Sequence, residues 1–307
     1  MKLLRAISLV ALALTFVVIV VGAYVRLSDA GLGCPDWPLC YGRPIPDAFE
    51  DHRAWKEMGH RYLAGALGLL LFALLLVALR TRQSPALAGA IAALVVFQAT
   101  LGKWTVTMLL KPAIVVAHLL GGMALLALLV WFLLERSTRT AAPQARSLRV
   151  PAVASLVVVG IQIMLGGWVS ANYAALACPD LPLCLGQAVP PMDFANAFHV
   201  LRELGRTGEG ELLPQAALTA IHWSHRLFAL VVAGVVGWAA LRTMKISLAL
   251  GAAMAALLLL QFSLGVANVA FNLPLPLAAA HNAGAAALLA AVVVLNFFAF
   301  KGLRPSW

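Results

Sequence analysis

Long apolar runs alternate with short polar stretches along this chain. A helix rises about 1.5 Å per residue, so crossing roughly 30 Å of hydrocarbon takes about 20 apolar residues. Runs of that order fall at 6–26, 60–79, 86–107, 113–134, 150–171, 219–241, 246–267 and 277–300. They predict eight transmembrane helices in an all-α integral membrane protein, since a helix satisfies its own backbone in lipid. Most links are short, as at 80–85, 108–112 and 272–276, but two are long, at 27–59 and 172–218. Within the second, 201–212 reads as a short surface helix. The Ser-, Thr-, Arg- and Pro-containing stretch 135–149 is a polar joint. It divides the chain into a four-helix unit at 1–134, a linker at 135–149 and a second four-helix unit at 150–307.

The two units repeat each other. Cys34-Pro-Asp-Trp-Pro-Leu-Cys40 matches Cys178-Pro-Asp-Leu-Pro-Leu-Cys184, and Gly22 and Gly166 stand equally far before them. Gln98-x-x-Leu101-Gly102 precedes His118 by the spacing at which Gln261-x-x-Leu264-Gly265 precedes His281. Four spans is an even number, so both copies enter the membrane in the same direction. The expectation is two parallel four-helix repeats about a pseudo-twofold axis along the membrane normal, not an inverted repeat.

Composition agrees with a multi-pass protein: 63% of the 307 residues are hydrophobic and 11% charged, about half the charged fraction of a soluble domain. The net charge of +10 invites a nucleic-acid partner, but its distribution argues against one. Lys2, Arg5, Arg80, Arg82, Arg136, Arg139, Arg146, Arg149, Arg242, Lys245, Lys301 and Arg304 all fall at alternate ends of the apolar runs, with Glu135 the only acid among them. By the positive-inside rule those ends and both termini are cytoplasmic and the cysteine loops are outside. The first run lacks a small-x-small cleavage site and reads as a retained helix, and no Arg/Ser-rich presequence is present. A bacterial plasma membrane follows.

Candidate chemistry gathers at Glu57-Met58-Gly59-His60-Arg61, where a charged loop meets an apolar run. Glu57 and His60 are one helical turn apart on one face. An ionisable pair at a membrane helix is costly and marks a functional site. The pattern returns as His222-Trp223-Ser224-His225-Arg226. His118 follows Pro112 by six residues, roughly 9 Å down its helix. His281 lies at similar depth after Pro276, while His60 and His225 open helices running the other way. Each half thus brings two imidazoles to one level of the membrane. Interhelical hydrogen bonding is one reading of these pairs. A zinc site asks for three or four compact ligands, which the pattern does not supply. Two imidazoles on opposing helices suit a six-coordinate haem iron. Arg61 and Arg226 read either as interfacial anchors or as contacts to haem propionates. His52 and His199 read as solvated loop residues.

One position breaks the symmetry: Glu57 stands where the second copy has His222. A carboxylate one turn from an iron ligand can move protons or stabilise a cation during oxidation. The plainer reading is a helix cap or a pair with Arg61. The cysteines lie in two Cys-x5-Cys loops around a Pro-Asp-x-Pro turn on an oxidising face, so intraloop disulfides Cys34–Cys40 and Cys178–Cys184 are expected. They either pin the loops or exchange with thiols, and exchange requires solvent access.

Together these motifs make the whole chain resemble the haem A synthase family. The resemblance implies an oxidoreductase that converts the C8 methyl group of haem O to a formyl group by successive hydroxylations, for terminal oxidases. It places the substrate haem between His60 and His118 with Glu57 beside it, and a haem b cofactor between His225 and His281. It also implies a proposed redox role for Cys34–Cys40. Haem O synthase, oxidase-assembly factors and an electron donor follow as partners from the resemblance alone, beside the lipid bilayer. Two other classes remain open: a di-haem b-type electron-transfer protein, which leaves the Glu57/His222 difference unexplained, and a haem carrier without turnover, which has no need of two bis-histidine sites.

Overall fold

The structure, a computed structural model, describes residues 2–45, 52–135 and 143–301. Arg136, Arg139 and Arg304, with residues 136–142 of the expected linker, lie outside the described residues. The helices run in the order α1 (Lys2–Leu27), α2 (His52–Thr81), α3 (Pro85–Thr107), α4 (Pro112–Leu134), α5 (Arg149–Ala171), α6 (Phe194–Ala197), α7 (Gln215–Met244), α8 (Leu248–Ala270) and α9 (Leu275–Phe300). All but the single-turn α6 belong to segments long and apolar enough to cross a membrane. Among the described residues the only β pairings are isolated bridges.

Proline sets the starts of α3, α4 and α9, where a missing N–H costs nothing. The reversals before α4 and α9 are built alike. Leu109 and Leu110 (φ 51° and 57°) and Asn272 and Leu273 (φ 54° and 59°) take the left-handed conformation. That conformation is unfavourable for a branched side chain by about 1–2 kcal/mol per residue. Packing holds the first turn, because the Leu110 side chain lies 3.3 Å from where a Cβ on Gly31 would stand.

Buried hydroxyls answer to their own helices, as lipid requires. Ser8, Thr15 and Thr243 each donate to the carbonyl four residues back at 2.7 Å. Asn296 ties α9 to α5 by donating to the Ala152 carbonyl at 2.9 Å. The central core includes Ile19, Met123, Val159 and Val292, contributed by α1, α4, α5 and α9. Of the spans, α9 is the most buried. The helices α2 and α3 pack against α1 and α4, and α7 and α8 against α5 and α9.

Two expectations need correction. The second and sixth spans begin at His52 and Gln215, not near 60 and 219. His60 and His225 therefore lie well inside their helices, and His52 is an exposed residue of α2, not of a loop. The turns added to α2 are amphipathic, with Ala54 and Met58 packed against Cys34 and Cys40. In α7, Trp223 packs against Cys178 and Cys184. The second correction is the surface helix, which lies at Phe194–Ala197, not at 201–212. Gly205 and Gly210, both at positive φ, break the later stretch into turns. His199 is exposed in a loop, as expected.

Candidate functional site

Each of the four membrane histidines faces a glycine on the preceding membrane-spanning helix. A Cβ on Gly22 of α1 would lie 2.8 Å from the Cε1 atom of His60 on α2. The same relation holds for Gly102 with His118 at 3.4 Å, Gly166 with His225 at 3.0 Å, and Gly265 with His281 at 3.2 Å. The missing side chains are what let the Cε1 edges of the rings come this close to the neighbouring helix. All four Nδ1 atoms are buried and lack a hydrogen-bond partner. Behind the rings sit two glutamines. Gln98 occupies space left by Gly121, and Gln261 the space left by Gly284. The amide nitrogen of Gln261 lies 3.3 Å from Nε2 of His281.

The four rings line one cavity of about 1310 Å³, which draws on both four-helix units. Small-molecule pockets usually hold roughly 300–1,000 Å³, so this one has room for more. Its wall is largely apolar, with Arg26, Glu57, Arg61 and Arg226 as charged members. The ring centres of His60 and His118 lie 6.5 Å apart, with the ring planes at 89°. Nitrogen–metal bonds of about 2 Å on each side place ring centres about 6 Å apart, so this pair has the spacing of two ligands on one metal ion. Among the described residues no group of three or more His, Cys, Asp or Glu is placed to hold a bare metal ion. The donor set therefore suits a metal that brings its own equatorial ligands, as an iron porphyrin does. The three arginines suit its carboxylates.

Glu57 and His222 hold the same structural post. Glu57 is 4% exposed, and its Oε2 accepts the backbone N–H of Cys34 at 2.9 Å. His222 is also 4% exposed, and its Nδ1 accepts the backbone N–H of Cys178 at 3.2 Å. Arg61 donates to the other Glu57 oxygen, so the pairing with Arg61 is present. Arg61 also donates to the carbonyls of Asp36 at 3.0 Å and Leu39 at 2.8 Å. Arg226 donates likewise to the Asp180 carbonyl at 2.9 Å. Each arginine thus holds a cysteine loop down on its helix. Gly33 lets the first loop come close, because a Cβ there would lie 2.5 Å from the Arg53 backbone.

Both cysteine pairs are disulfides, and all four cysteines are fully buried. The loops roof the cavity through Trp37, Pro38, Leu181 and Pro182, while the sulfurs lie away from its lining. Thiol exchange therefore requires a loop to lift. Each loop is closed by its aspartate. Asp36 accepts the N–H groups of Tyr41 at 2.7 Å and Gly42 at 2.8 Å, and Asp180 those of Leu185 at 2.8 Å and Gly186 at 2.6 Å. These bonds, led by those from Gly42 and Gly186, hold both carboxyls below their ordinary value of 3.8. A lowered value stabilises the closed loop above pH 3.8, and the stabilisation is lost as the pH falls through the lowered values. A phosphine reductant at pH 7 is expected to open the disulfides severalfold faster in Asp36→Asn and Asp180→Asn than in the native protein. Unchanged rates in both variants would rule out this closure.

The sequence-predicted residues Glu57, His60, Arg61, His118, His222, His225, Arg226 and His281 all line the one cavity. Sequence reasoning did not single out Arg26. Its guanidinium lines the cavity, donates to the Ser170 carbonyl at 2.9 Å and leaves its buried Nε without a partner. A charge at the end of the first apolar run was the available signal. The glycines and glutamines were visible as recurring positions with no assigned purpose.

Residues 5–293 match the family model described as cytochrome oxidase assembly protein. The chain is 43% identical over 311 residues to a heme A synthase of Shewanella oneidensis, covering 94% of each chain. It is 35% identical over 209 residues to a heme A synthase of Symbiobacterium thermophilum, covering 62% of this chain and 67% of that one. With a heme A synthase of Caulobacter vibrioides it shares 29% identity over 337 residues, covering 95% and 94%.

Proposed function

The chain belongs to the family of cytochrome oxidase assembly proteins, and on that premise we propose that it is a haem A synthase, a membrane oxidoreductase acting on haem O. The observation that carries the reading is one cavity lined by two histidine pairs, with a carboxylate beside only one of them. We infer that haem O binds between His60 and His118. There its C8 methyl group would be hydroxylated twice with dioxygen as oxidant. Each time one oxygen atom enters the C–H bond and the other leaves as water with two electrons and two protons from the external donor. The hydrated aldehyde would then lose water to give the formyl group. His225 and His281 would hold haem b, which supplies storage and passage of electrons.

The chain's own residues orient and exclude. The histidines fix the substrate's plane, and the glycines facing them fix the rings. Arg61 and Arg226, besides holding the loops, and Arg26 present positive charge to the propionates. The disulfide-closed loops keep water from the cavity. Glu57, held by Arg61 and the Cys34 N–H, would take a proton during the oxidation or stabilise a cation there.

We also propose the wider arrangement. The corresponding partners of Gly22 and Gly166, and of Glu57 and His222, support two parallel repeats at 1–134 and 150–307 joined by 135–149. Lys2, Arg80, Arg149, Arg242 and Lys301 lie at the helix ends opposite the cysteine loops. That charge supports cytoplasmic termini and outer cysteine loops in a bacterial plasma membrane. Haem O synthase, oxidase-assembly factors and an electron donor are the partners this activity calls for. The test is the haem extracted from protein purified out of cells that make haem O, in which haem A or its hydroxylated precursor is expected beside haem b.

A further inference from the structure

The two halves differ along one seam of the cavity wall. Register is fixed by the histidines and glutamines: His60 corresponds to His225, and Gln98 to Gln261. In that register Gly65 of α2 stands where α7 has Leu230, and Ala99 of α3 stands where α8 has Phe262. Gly65, Gly68, Val96 and Ala99 all line the cavity. A Cβ added at Gly65 or Gly68 would meet nothing within 4 Å. Gly65, Val96 and Ala99 are also exposed on the helix surface, Val96 by 52%. The cavity therefore reaches the lipid-facing surface between α2 and α3 through a slot with few side chains in it. In the second half the larger Leu230 and Phe262 stand at these positions of the cavity wall, and α7 packs on α8 more closely than α2 on α3.

Small residues alone do not make a site, but buried polar groups without partners line the cavity where the slot meets it. Gln98, next to Ala99, is 8% exposed, lines the cavity and has an amide nitrogen without a partner. The Nδ1 atoms of His60 and His118 are likewise buried and unpartnered.

We propose that the slot between α2 and α3 is the passage through which the isoprenoid tail of the substrate porphyrin leaves the first-half cavity for the bilayer, and that Gly65 and Ala99 keep it open. The inference rests on the reading that haem O lies between His60 and His118. The physical reason is steric and entropic. A long flexible tail coiled inside a closed cavity overfills it and loses rotamer freedom, whereas a tail threaded into lipid keeps both. Leu230 and Phe262 leave the second half of the cavity suited to a porphyrin without such a tail. The slot thus sorts the tailed porphyrin into the half that carries Glu57.

The test grafts the second half's side chains onto the first. Gly65→Leu with Ala99→Phe, and Ala99→Phe alone, are made in the full-length protein carrying its resident haem. Binding of haem O and of tail-less protohaem is followed by difference spectra. The double variant is expected to weaken haem O binding at least about tenfold, the size expected of overpacking, while protohaem affinity stays within about threefold. Unchanged haem O affinity in both variants would overturn the proposal. So would an equal loss for both porphyrins, which would make the seam part of the ring pocket. Should the double variant lose its resident haem, Ala99→Phe is read by the same two criteria. Wild-type protein that binds haem O in preference to protohaem but never oxidises it would defeat the proposed activity and leave the slot standing.

Discussion

Replacing Glu57 by Gln lowers conversion of haem O by about a hundredfold or more, the usual span for a lost acid–base group, while the haem between His225 and His281 keeps its spectrum. The substitution preserves size and an oxygen acceptor for the Cys34 N–H, so the loop above it stays in place. Glu57→His is the sharper variant, because His222 shows that an imidazole at this post holds the following cysteine N–H. That variant should fold, keep its disulfides and bind haem O, yet give no haem A. Haem analysis of the membranes, with visible spectra of the purified variants, checks both. Full haem A yield from either would confine Glu57 to holding the loop.

The second large effect comes from the glycines facing the rings. In Gly166→Leu the new side chain starts 3.0 Å from Cε1 of His225 and must push the ring aside. Displacing a ligand's support typically weakens metal binding about 10–100-fold, so resident haem content should fall to that degree and the remaining spectrum should change. His225→Met and His281→Met should disturb the same spectrum. Gly22→Leu crowds His60 in the same way, with a Cβ 2.8 Å from Cε1, but should leave the resident haem intact and abolish oxidation of haem O. Haem content and difference spectra of the purified variants separate the two. Loss of resident haem from Gly22→Leu but not from Gly166→Leu would reverse the assignment of the halves.

These glycines also show where the sequence was legible. Eight apolar runs, two cysteine loops and four histidines at matched depths were readable because lipid imposes one rule on every span. The turn carrying Glu57 was read as loop, because hydropathy detects contact with lipid and not contact with a disulfide. Its apolar side, Ala54 and Met58, packs under the first cysteine loop. Gly22 and Gln98 were visible as repeated letters. Their purpose needed coordinates, since spacing within one helix says nothing about which ring lies across from it. Arg61 and Arg226 stood beside the ligands in sequence, but their grip on the loop carbonyls depends on how each loop folds back. The helix expected at 201–212 failed because a polar stretch containing three glycines was credited with helicity that glycine withdraws.

The central claim is oxidation of haem O in the cavity, and extracted haem tests it most directly. The protein is expressed with an electron donor in cells that make haem O but no haem A, then purified. The extracted haems are separated and identified by mass. Haem b together with haem A, or with its hydroxylated precursor, is the predicted result. Haem b alone, with haem O left unconverted in the membrane, would contradict the account and leave an electron-transfer protein. Unconverted haem O co-purifying with the chain would contradict it too, and leave a carrier.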